Sequence, residues 1–411
     1  MKYLLFTFYT FAIRLSNVFI YIGRYFSDKL ELLYQGRQSV WKKLEDFSLD
    51  NRNVVWFHCA SLGEFEQGRP LIEKIKHEYP FIKILISFYS PSGYEIKKDY
   101  KLADLIIYLP SDLNTNNRKL IALINPAIVI FVKYEFWWNL INTLIEHRIK
   151  IFLVSAVFRD TDYFFSSFFK PFRVLLSGYE KIFVQDEMSA KTLIKNGLKN
   201  VSIAGDTRID NVILRAESSV LPEQIKNYTL QKTVIIYGSV WLSDIEILVP
   251  LITYYPDFLH ILAPHNVSKD YILKIQEKLG RPSDIYSDKT WKSNILLIDN
   301  IGMLSSLYKL AKYAYIGGGF EKGIHNILEP AIFGIPVFFG PNHKKFNEAV
   351  NMARLNIAFG VNSSAEAIGI ISSFESDINK YKHLNQQISH FFKSNSGATE
   401  KIASEMAPFL D

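Results

Sequence analysis

The chain of 411 residues contains a single cysteine, Cys59. One thiol excludes a disulfide within the chain and any metal site built from paired cysteines, and it is typical of a reducing compartment. Internal repeats and low-complexity segments are also absent. The net charge of +6 is modestly basic and is not accompanied by a nucleic-acid-binding motif. We therefore expect no nucleic-acid partner, whereas acidic ligands and an anionic membrane surface both fit the charge.

A clean hydrophobic run is missing at the N-terminus, although residues 1–25 are mostly apolar. A simple membrane-spanning helix needs about 20 uninterrupted apolar residues, and this segment is interrupted. The interrupting polar residues recur at helical spacing and are Thr7, Thr10, Arg14, Asn17 and Arg24. The pattern favours a helix over residues 1–30 that lies in the membrane interface, with a tilted span or a core helix as alternatives. No small-residue cleavage site follows, so a secretory signal peptide is not expected.

Aromatic residues are plentiful, with 31 Phe and 23 Tyr, and they require a packed core or a membrane. After residue 53, short apolar runs alternate with helical segments, which predicts parallel α/β units. The length exceeds what one core usually supports, so we predict two doubly wound, Rossmann-like domains. The predicted divisions are 1–30 for the membrane-interface helix, 31–215 and 216–385 for the two domains, and 386–411 for a helix returning to the first domain.

Two segments between the strands are predicted from composition. Residues 161–179 are dense in aromatics, which favours a core helix and leaves lipid docking as the alternative. Residues 216–232 are polar and contain Pro222, so we predict a linker there.

The segment 315–341 has the order strand, glycine-rich loop, helix, strand. Glycines at a strand end let backbone amides approach a ligand, and a helix start favours phosphate. Glu329, placed about one turn into the helix, can accept hydrogen bonds from ribose hydroxyls. A tight structural turn is the alternative, but the motif favours a nucleotide-sugar site. The residues predicted to contact the nucleotide-sugar, at this and neighbouring strand ends, are Gly238, Ser239, His265, Gly318, Gly319, His325, Asn326 and Glu329.

Glu64 follows Gly63 at the junction of a predicted strand and helix in the first domain. A carboxylate in that position can act as a general base on an acceptor hydroxyl. It can equally be a first-turn acid that complements the helix dipole. Glu135 also follows a predicted strand, and the carboxyl ends of parallel strands share one edge of the sheet, so the two acids are expected to face one cleft.

Six motifs resemble those of the GT-B glycosyltransferases and, more narrowly, the 3-deoxy-D-manno-octulosonic acid (Kdo) transferases. They occur in the family's order over nearly the whole chain after the N-terminal helix, and the first and last are the specific ones. They are HCASLGE (58–64), SPSG (90–93), YEFW (134–137), GDTRID (205–210), GS (238–239) and GGGFEKGIHNILEP (317–330).

The resemblance implies a GT-B fold, with two Rossmann-like domains facing a cleft. It also implies inverting, metal-independent transfer of Kdo from CMP-Kdo to a lipid A precursor at the cytoplasmic face of the inner membrane, without a cofactor. By the same resemblance Glu64 is the general base, and the donor residues named above hold CMP-Kdo. Residues expected to contact the acceptor or the Kdo group are Ser61, Gly63, Arg69, Glu135 and Arg208.

The chain departs from the family pattern at two places. Lys133 and Trp138 stand where many members have an acid and a proline, which puts the acceptor contacts in doubt. His265 and Asn266 stand where an Arg-His pair is common, which puts the cation at the donor phosphate in doubt. Two alternative hypotheses remain. The first is another GT-B enzyme that uses a UDP-sugar, such as a lipid-linked sugar transferase or an epimerase. The second is a non-catalytic, membrane-docked protein that binds a sugar nucleotide.

Overall fold

The computed structural model describes residues 2–48, 53–133 and 136–410. The chain forms two compact units, one made of residues 1–211 with 395–411 and the other of residues 212–394. We call them unit 1 and unit 2. The domain boundaries predicted from the sequence lie at 30/31, 215/216 and 385/386. They remain predictions of where independently folding domains begin and end.

Unit 1 is built on a parallel sheet of seven strands. These are β1 (Val54–Cys59), β2 (Lys83–Phe88), β3 (Leu105–Tyr108), β4 (Ile128–Val132), β5 (Lys150–Ala156), β6 (Lys181–Val184) and β7 (Val201–Ile203). Its helices begin with α1 (Lys2–Gly23), α2 (Asp28–Ser48), α3 (Leu62–Glu78), α4 (Pro91–Lys97), α5 (Asn114–Ile124), α6 (Trp138–Glu146), α7 (Lys170–Arg173) and α8 (Glu187–Lys195). Helix α9 (Thr207–Ser218) runs across the boundary into unit 2.

Unit 2 contains a second parallel sheet of seven strands. These are β8 (Val234–Val240), β9 (Leu259–Pro264), β10 (Asp284–Ile285), β11 (Ile295–Leu297), β12 (Tyr313–Ile316), β13 (Val337–Phe339) and β14 (Phe359–Gly360). The helices are α10 (Glu223–Thr229), α11 (Ile245–Tyr254), α12 (Lys269–Leu279), α13 (Leu304–Leu307), α14 (Leu328–Ala331), α15 (Asn347–Arg354), α16 (Ser364–Ser376) and α17 (Ile378–Asn395). Helix α18 (Ala398–Met406) belongs to unit 1.

The order of the strands identifies where each sheet can bind a ligand. The orders are β3-β2-β1-β4-β5-β6-β7 in unit 1 and β10-β11-β9-β8-β12-β13-β14 in unit 2. In each sheet the direction of winding reverses once, between β1 and β4 and between β8 and β12. Open α/β sheets bind ligands beyond the carboxyl ends of the strands at such a switch point. The predicted doubly wound α/β architecture is confirmed, with the N-terminal apolar helix present.

The strands are buried because helices cover both faces of a parallel sheet. Every residue of β1 is buried, and so is every residue of β4. These runs are almost entirely apolar rather than alternating, with His58 as the exception in β1, which is why they were visible in the sequence. The two-residue edge strands β10 and β14 were not predicted, because so short a run leaves no pattern.

Three segments differ from the prediction. Residues 216–232, predicted as a linker, contain the end of α9 and all of α10. Residues 161–179, predicted as one helix, form short 3-10 turns around α7. Helix α2 was not predicted at all, although it packs on β3 through Leu33, Val40 and Leu44 in the core of unit 1.

Helix α1 is the one described helix long and apolar enough to cross a membrane by length and composition. Of its predicted polar stripe, Thr10 and Asn17 turn inward, whereas Thr7 and Arg14 are exposed. On the inward face the Tyr9 hydroxyl donates to Asp112 at 2.7 Å, and the Ser111 hydroxyl donates to Asn17 at 2.6 Å. The opposite face is exposed and carries Leu4, Phe8, Phe11, Leu15, Val18, Phe19 and Ile22. One face of α1 thus docks on the protein through polar contacts and the buried Leu5 and Ile20, while the large apolar side chains of the other face are exposed.

Candidate functional site

Glu64 lies at the junction of β1 and α3, as the third residue of the helix. Its Oε2 accepts hydrogen bonds from the backbone N–H of Ser61 at 2.7 Å and from the Ser61 hydroxyl at 3.1 Å. This is a capping box, in which an acid at the third helical position satisfies the backbone before the helix. The carboxylate is half-buried, and its helix starts at the switch point between β1 and β4. Both sequence interpretations of Glu64 therefore fit, since a capping acid also stands where a ligand can reach it.

The start of α4 packs beside the start of α3. The backbone N–H of Ser90 donates to the carbonyl of Ala60 at 2.8 Å. A side chain on Gly93 would come within 3.1 Å of the Leu62 backbone nitrogen, so this close approach needs a glycine. The hydroxyls of Ser90 and Ser92, 2.8 Å apart, consequently lie next to the helix that carries Glu64. They add hydrogen-bonding groups suited to a sugar hydroxyl.

The two predicted arginines of unit 1 are held by acids. Arg69 donates to Glu73 at 2.6 Å one turn further along α3. Arg208 makes a two-pronged contact with Asp206, at 3.1 Å through Nε and 2.7 Å through a terminal nitrogen. The acids fix the orientation of both guanidinium groups and use some of their N–H donors, so fewer N–H donors remain for a ligand.

The GDTRID motif joins three helices of unit 1. The Thr207 hydroxyl donates to the carbonyl of Gln67 on α3 at 2.7 Å. Asp210 accepts from the backbone N–H groups of Gly397 and Thr399 at 2.8 and 2.6 Å, which caps α18. Because Thr207 precedes Arg208, these contacts bring Arg208 to the region of α3.

Glu135 lies outside the described residues, so its predicted role is not tested. Nearby, the indole N–H of Trp137 donates to Nε2 of His58 at 2.9 Å, and His58 Nδ1 lies 2.8 Å from the Ser87 hydroxyl. An indole only donates, so Nε2 must be the acceptor and the proton of His58 is on Nδ1. The buried imidazole on β1 therefore anchors the loop that follows β4.

In unit 2, the glycine-rich loop after β12 is organised by a buried carboxylate, Asp244. Its Oδ2 accepts from the backbone N–H groups of Trp241 at 2.8 Å and Gly318 at 2.9 Å, and its Oδ1 accepts from the Tyr315 hydroxyl at 2.9 Å. Burial raises the pKa of Asp244, while these hydrogen bonds oppose that shift. The amide of Gly318, predicted to face the donor phosphate, is thus already paired within the protein.

The glycines of this loop are required by close packing. A side chain on Gly319 would come within 2.6 Å of the Gly340 backbone, where the loops after β12 and β13 touch. One on Gly317 would meet the Ser239 carbonyl oxygen at 2.4 Å. Gly238 faces the buried Tyr308. The predicted residues Gly238, Ser239, Gly318 and Gly319 are therefore brought together at adjoining strand ends.

Two predicted histidines meet over an aromatic ring. The rings of Trp241 and His265 stack with centroids 4.2 Å apart, and the centroids of His265 and His325 are 4.9 Å apart. The Trp241 indole N–H donates to His325 Nε2 at 3.2 Å. Burial lowers the pKa of His325 to about 4, and burial also lowers the pKa of His265. At neutral pH this cluster is an uncharged, flat surface with imidazole hydrogen-bonding groups.

Asn326 and Glu329 stand at the start of α14. The helix begins at Leu328, so Glu329 lies in its first turn rather than one turn in, as the sequence suggested. The Asn326 side-chain carbonyl accepts from the Leu328 backbone N–H at 3.0 Å, and its amide donates to Glu329 at 3.3 Å. Arg215 approaches the same carboxylate, with 3.9 Å between nitrogen and oxygen.

Sequence reasoning missed Asp244, Trp241 and Arg215. Asp244 was given no role, because nothing in the stretch 238–244 distinguishes a buried carboxylate from an exposed one. Trp241 carried a usable signal, since a tryptophan directly after a glycine-containing strand end is a ready stacking surface. Arg215 lies more than 100 residues from its partner, and local sequence carries no sign of that pairing. No cluster of three or more His, Cys, Asp or Glu suited to a metal ion occurs among the described residues.

Comparisons with known proteins bear on the family and the fold. Residues 35–211 match the family described as 3-deoxy-D-manno-octulosonic-acid transferase (kdotransferase). The 3-deoxy-D-manno-octulosonic acid transferase of Rickettsia bellii is 27% identical over 378 residues, covering 87% of each chain. A bifunctional glycosyltransferase/methyltransferase of Fusobacterium nucleatum is 27% identical over 374 residues, which are 85% of this chain but 57% of that protein. The chain thus spans little more than half of that relative.

A solved structure shows the same fold. The UDP-GlcNAc 2-epimerase from Neisseria meningitidis superposes with a TM-score of 0.62 over 87% of this chain and 100% of its own, at 17% identity. At that identity the likeness concerns the fold alone. Together with the motif order, the match over residues 35–211 makes unit 1 similar to the Kdo transferases, and the chain has the GT-B fold.

Proposed function

We propose that the chain transfers Kdo from CMP-Kdo to a hydroxyl of a lipid A precursor, with Glu64 as the general base. The observation that carries the proposal is the position of the Glu64 carboxylate, at the β1/β4 switch point and oriented by two hydrogen bonds from Ser61. Similarity to the Kdo transferases supports the donor and the reaction class, because the relative in Rickettsia bellii is named for Kdo transfer.

The chemistry needs one base and a stabilised leaving group. Glu64 takes the proton of the acceptor hydroxyl as that oxygen attacks the anomeric carbon of Kdo. The bond from the anomeric carbon to the phosphate oxygen breaks, and CMP leaves with the electron pair. The anomeric carbon passes through a state with oxocarbenium character and inverts. The proton thus ends on Glu64, from which water removes it before the next cycle.

We assign the donor to unit 2. Gly238, Ser239, Gly318, Gly319, His265, His325, Asn326 and Glu329 are the proposed contacts. The uncharged Trp241–His265–His325 surface suits stacking on a nucleobase, and Asn326 with Glu329 suits ribose hydroxyls. Since the Gly318 amide is paired with Asp244, the phosphate has to find its donors elsewhere around this loop. Ser61, Gly63, Arg69, Glu135 and Arg208 are the proposed contacts for the acceptor or the Kdo group.

The acceptor is a lipid, and α1 supports a membrane location. Its exposed face is apolar while its polar face is tied to unit 1 through Tyr9 and Asn17. We propose that this helix lies in the cytoplasmic interface of the inner membrane without crossing the bilayer. A span would have to break the hydrogen bonds to Asp112 and Ser111 and carry their partners into hydrocarbon, which is costly.

The test separates the base from the helix cap. In Glu64→Gln the amide carbonyl can still accept at the helix start, so stability is retained, while no base remains. We expect CMP release and Kdo transfer, followed by lipid mass, to fall about 10²-fold or more. In Glu64→Ala both turnover and thermal stability fall. CMP-Kdo binding, measured by calorimetry, is expected to survive in Glu64→Gln.

Asp186 provides the matched control. It is also a carboxylate at a strand-to-helix junction of unit 1, where it caps α8 by accepting from the Ser189 backbone N–H at 2.7 Å. Asp186→Asn keeps the cap and should keep full turnover. Normal turnover in Glu64→Gln would show that Glu64 only caps α3 and is not the general base. A parent protein without product from CMP-Kdo would overturn the donor assignment and direct the assay to UDP-sugars.

A further inference from the structure

A cavity of about 600 Å³ opens beside the donor loop of unit 2. It is formed by the loops that follow three neighbouring strands, β12, β13 and β14, at their carboxyl ends. Its size falls in the range of small-molecule sites, and its position is where parallel sheets bind ligands. The residues that line it are Glu321, Lys322, Pro341, Asn342, His343, Lys344, Lys345, Gly360 and Asn362. We call it the lysine pocket.

The lysine pocket is positively charged. Lys322, Lys344 and Lys345 contribute three ammonium groups against the one carboxylate of Glu321. Within the described part of the chain, none of these three lysines forms an ion pair. Surface lysines ordinarily find a nearby acid or open water, but these three converge on one concavity. An anion placed there would meet several donors at once.

The loop that carries Lys344 and Lys345 is held at both ends. The backbone N–H of Asn342 donates to the Gly319 carbonyl at 3.0 Å, and its side-chain amide donates to the Glu321 carbonyl at 3.0 Å. At the other end the Phe346 ring packs closely over Gly323, leaving no room for a side chain there. The turn between these anchors is therefore preorganised, which reduces the entropy lost on binding.

The lysine pocket borders the proposed donor surface. The ammonium group of Lys322 lies 5.7 Å from the centroid of the Trp241 ring, so this residue touches both regions. His343 forms the floor, where its ring fits against Gly360 and its Nδ1–H donates to the Gly340 carbonyl at 3.2 Å. A ligand bound at Trp241 is thus within reach of the lysine pocket.

We propose that the lysine pocket binds an anionic group, carboxylate or phosphate, carried by one of the sugars in the transfer. The identity of the sugar rests on the proposed function. The donor brings a carboxylate on Kdo, and the acceptor brings phosphate on its sugar backbone. Both present the same chemistry to Lys344 and Lys345, and the two sources are separated by experiment.

The experiment compares the parent with Lys344→Gln/Lys345→Gln. Lys274→Gln/Lys382→Gln is the matched control, since these are exposed lysines of unit 2 outside the pocket with the same change in net charge. Binding of CMP-Kdo, CMP, and lipid A precursor with and without its phosphates is measured by calorimetry at 50 and 300 mM salt. Inorganic phosphate serves as the simplest anion probe.

If the pocket holds the donor carboxylate, the pocket variant binds CMP-Kdo about tenfold more weakly and binds CMP as the parent does. If it holds an acceptor phosphate, the variant loses about tenfold in affinity for the phosphorylated precursor only. In either case the difference from the parent shrinks at high salt, because screening weakens exposed charges. The control variant should match the parent throughout.

Unchanged affinity of the pocket variant for all these ligands, including inorganic phosphate, would overturn the proposal. Its failure is distinguishable from failure of the proposed function, because binding is measured without turnover. A parent that binds phosphate through Lys344 and Lys345 but does not transfer Kdo would retain the pocket and lose the function. If the parent transfers Kdo but the pocket variant binds every ligand as the parent does, the proposed function is retained and the pocket proposal is lost.

Discussion

Asp244 is the residue on which the glycine-rich loop after β12 depends. It is fully buried, and its three hydrogen bonds come from Trp241 after β8 and from Tyr315 and Gly318 in and after β12. Removing it would strand the N–H groups of Trp241 and Gly318 in the core, and such unsatisfied groups cost about 1–3 kcal/mol each. The loop geometry that the glycines permit is therefore imposed by a side chain about 70 residues earlier in the chain.

His260 is a second buried polar residue of unit 2, and it makes the stability of the protein depend on pH. Its Nε2–H donates to the Tyr255 carbonyl at 2.9 Å, so Nδ1, 2.9 Å from the Tyr237 hydroxyl, is the acceptor. The bond from Tyr237 needs an unprotonated Nδ1, whereas the bond to Tyr255 also forms with the charged ring. Burial lowers the pKa of His260 to about 4, although the bond to Tyr255 opposes the shift.

Because the folded pKa of His260 lies below the unfolded value of about 6.5, the unfolded chain binds more protons as the pH falls. The stabilisation is complete above pH 6.5 and is lost as the pH drops toward 4. We expect His260 to account for about 2 kcal/mol of lost stability between pH 7 and pH 5. Urea unfolding followed by tryptophan fluorescence at the two pH values measures this difference.

His260→Gln should be less stable at pH 7 and should lose less on acidification than the parent. His77→Gln, which removes a solvent-exposed histidine of α3, is the comparison. Equal pH responses of the parent and His260→Gln would show that another group carries the acid sensitivity. His325 acts in the same direction, since its pKa is also lowered to about 4.

At the scale of elements, α1 has two faces with different tasks. The inward face is tied to unit 1 by Tyr9, Thr10 and Asn17, whose partners are Asp112, Asn139 and Ser111. Burial raises the pKa of Asp112, while the hydrogen bond from Tyr9 opposes the shift. The outward face has no described partner within the chain, and its large apolar side chains stay exposed.

We predict that Phe8→Ser/Phe11→Ser/Phe19→Ser weakens binding to anionic lipid vesicles by at least about a hundredfold. Each of these rings is at least 60% exposed, so it is available to insert into lipid, and burying a Phe contributes about 1.5–3 kcal/mol. The fold should survive, because the three side chains contribute little to the core. Vesicle co-sedimentation measures the affinity, and circular dichroism checks the fold.

Phe81→Ser is the control for the vesicle experiment. Phe81 is 62% exposed but lies far along the chain, between α3 and β2. Its replacement should leave vesicle binding unchanged. If the triple variant of α1 sedimented with vesicles as the parent does, another surface would have to provide the membrane contact.

At the scale of the whole molecule, the chain leaves unit 1 within α9 and returns to it at residue 395. The returning segment fills the core of unit 1 with Ile402, Met406 and Leu410. It is also held by ion pairs, with Lys181 to Glu405 at 2.8 Å and Lys74 to Glu400 at 2.7 Å. Unit 1 is thus completed only by the last residues of the chain.

We predict that deleting residues 396–411 destabilises unit 1 and spares unit 2. The deletion removes several buried apolar side chains, each worth about 2–5 kcal/mol when truncated. Limited proteolysis with mass spectrometry should show rapid cleavage within residues 53–211 and a protected fragment within 212–394. A milder variant, Ile402→Ala, should lower the thermal midpoint, while the exposed Ser404→Ala should not. Preferential cleavage of unit 2 would contradict the assignment.

Much of this organisation could be read from the sequence. Parallel strands contain continuous apolar runs, such as residues 54–57 and Ile128–Val132, and glycines, acids and hydroxyls follow them. Glu64 was recognisable because its place after a buried strand is a local property. The family motifs pointed to the same fold and reaction class. The details that were not predicted are those without a short-range hydrophobic pattern. They include α2, the edge strands and the short 3-10 turns within residues 161–179.

The sequence by itself determined the two α/β series, the glycine-rich loop and the position of Glu64, because apolar periodicity and strand-end chemistry act over a few neighbouring residues. Only the tertiary structure decided that Asp244 takes the Gly318 amide, that the polar face of α1 turns inward to Asp112, and that three lysines converge on one pocket. These outcomes depend on contacts between residues far apart in the chain. Such contacts are selected by packing and by the cost of leaving buried polar groups unpaired, which no local pattern records.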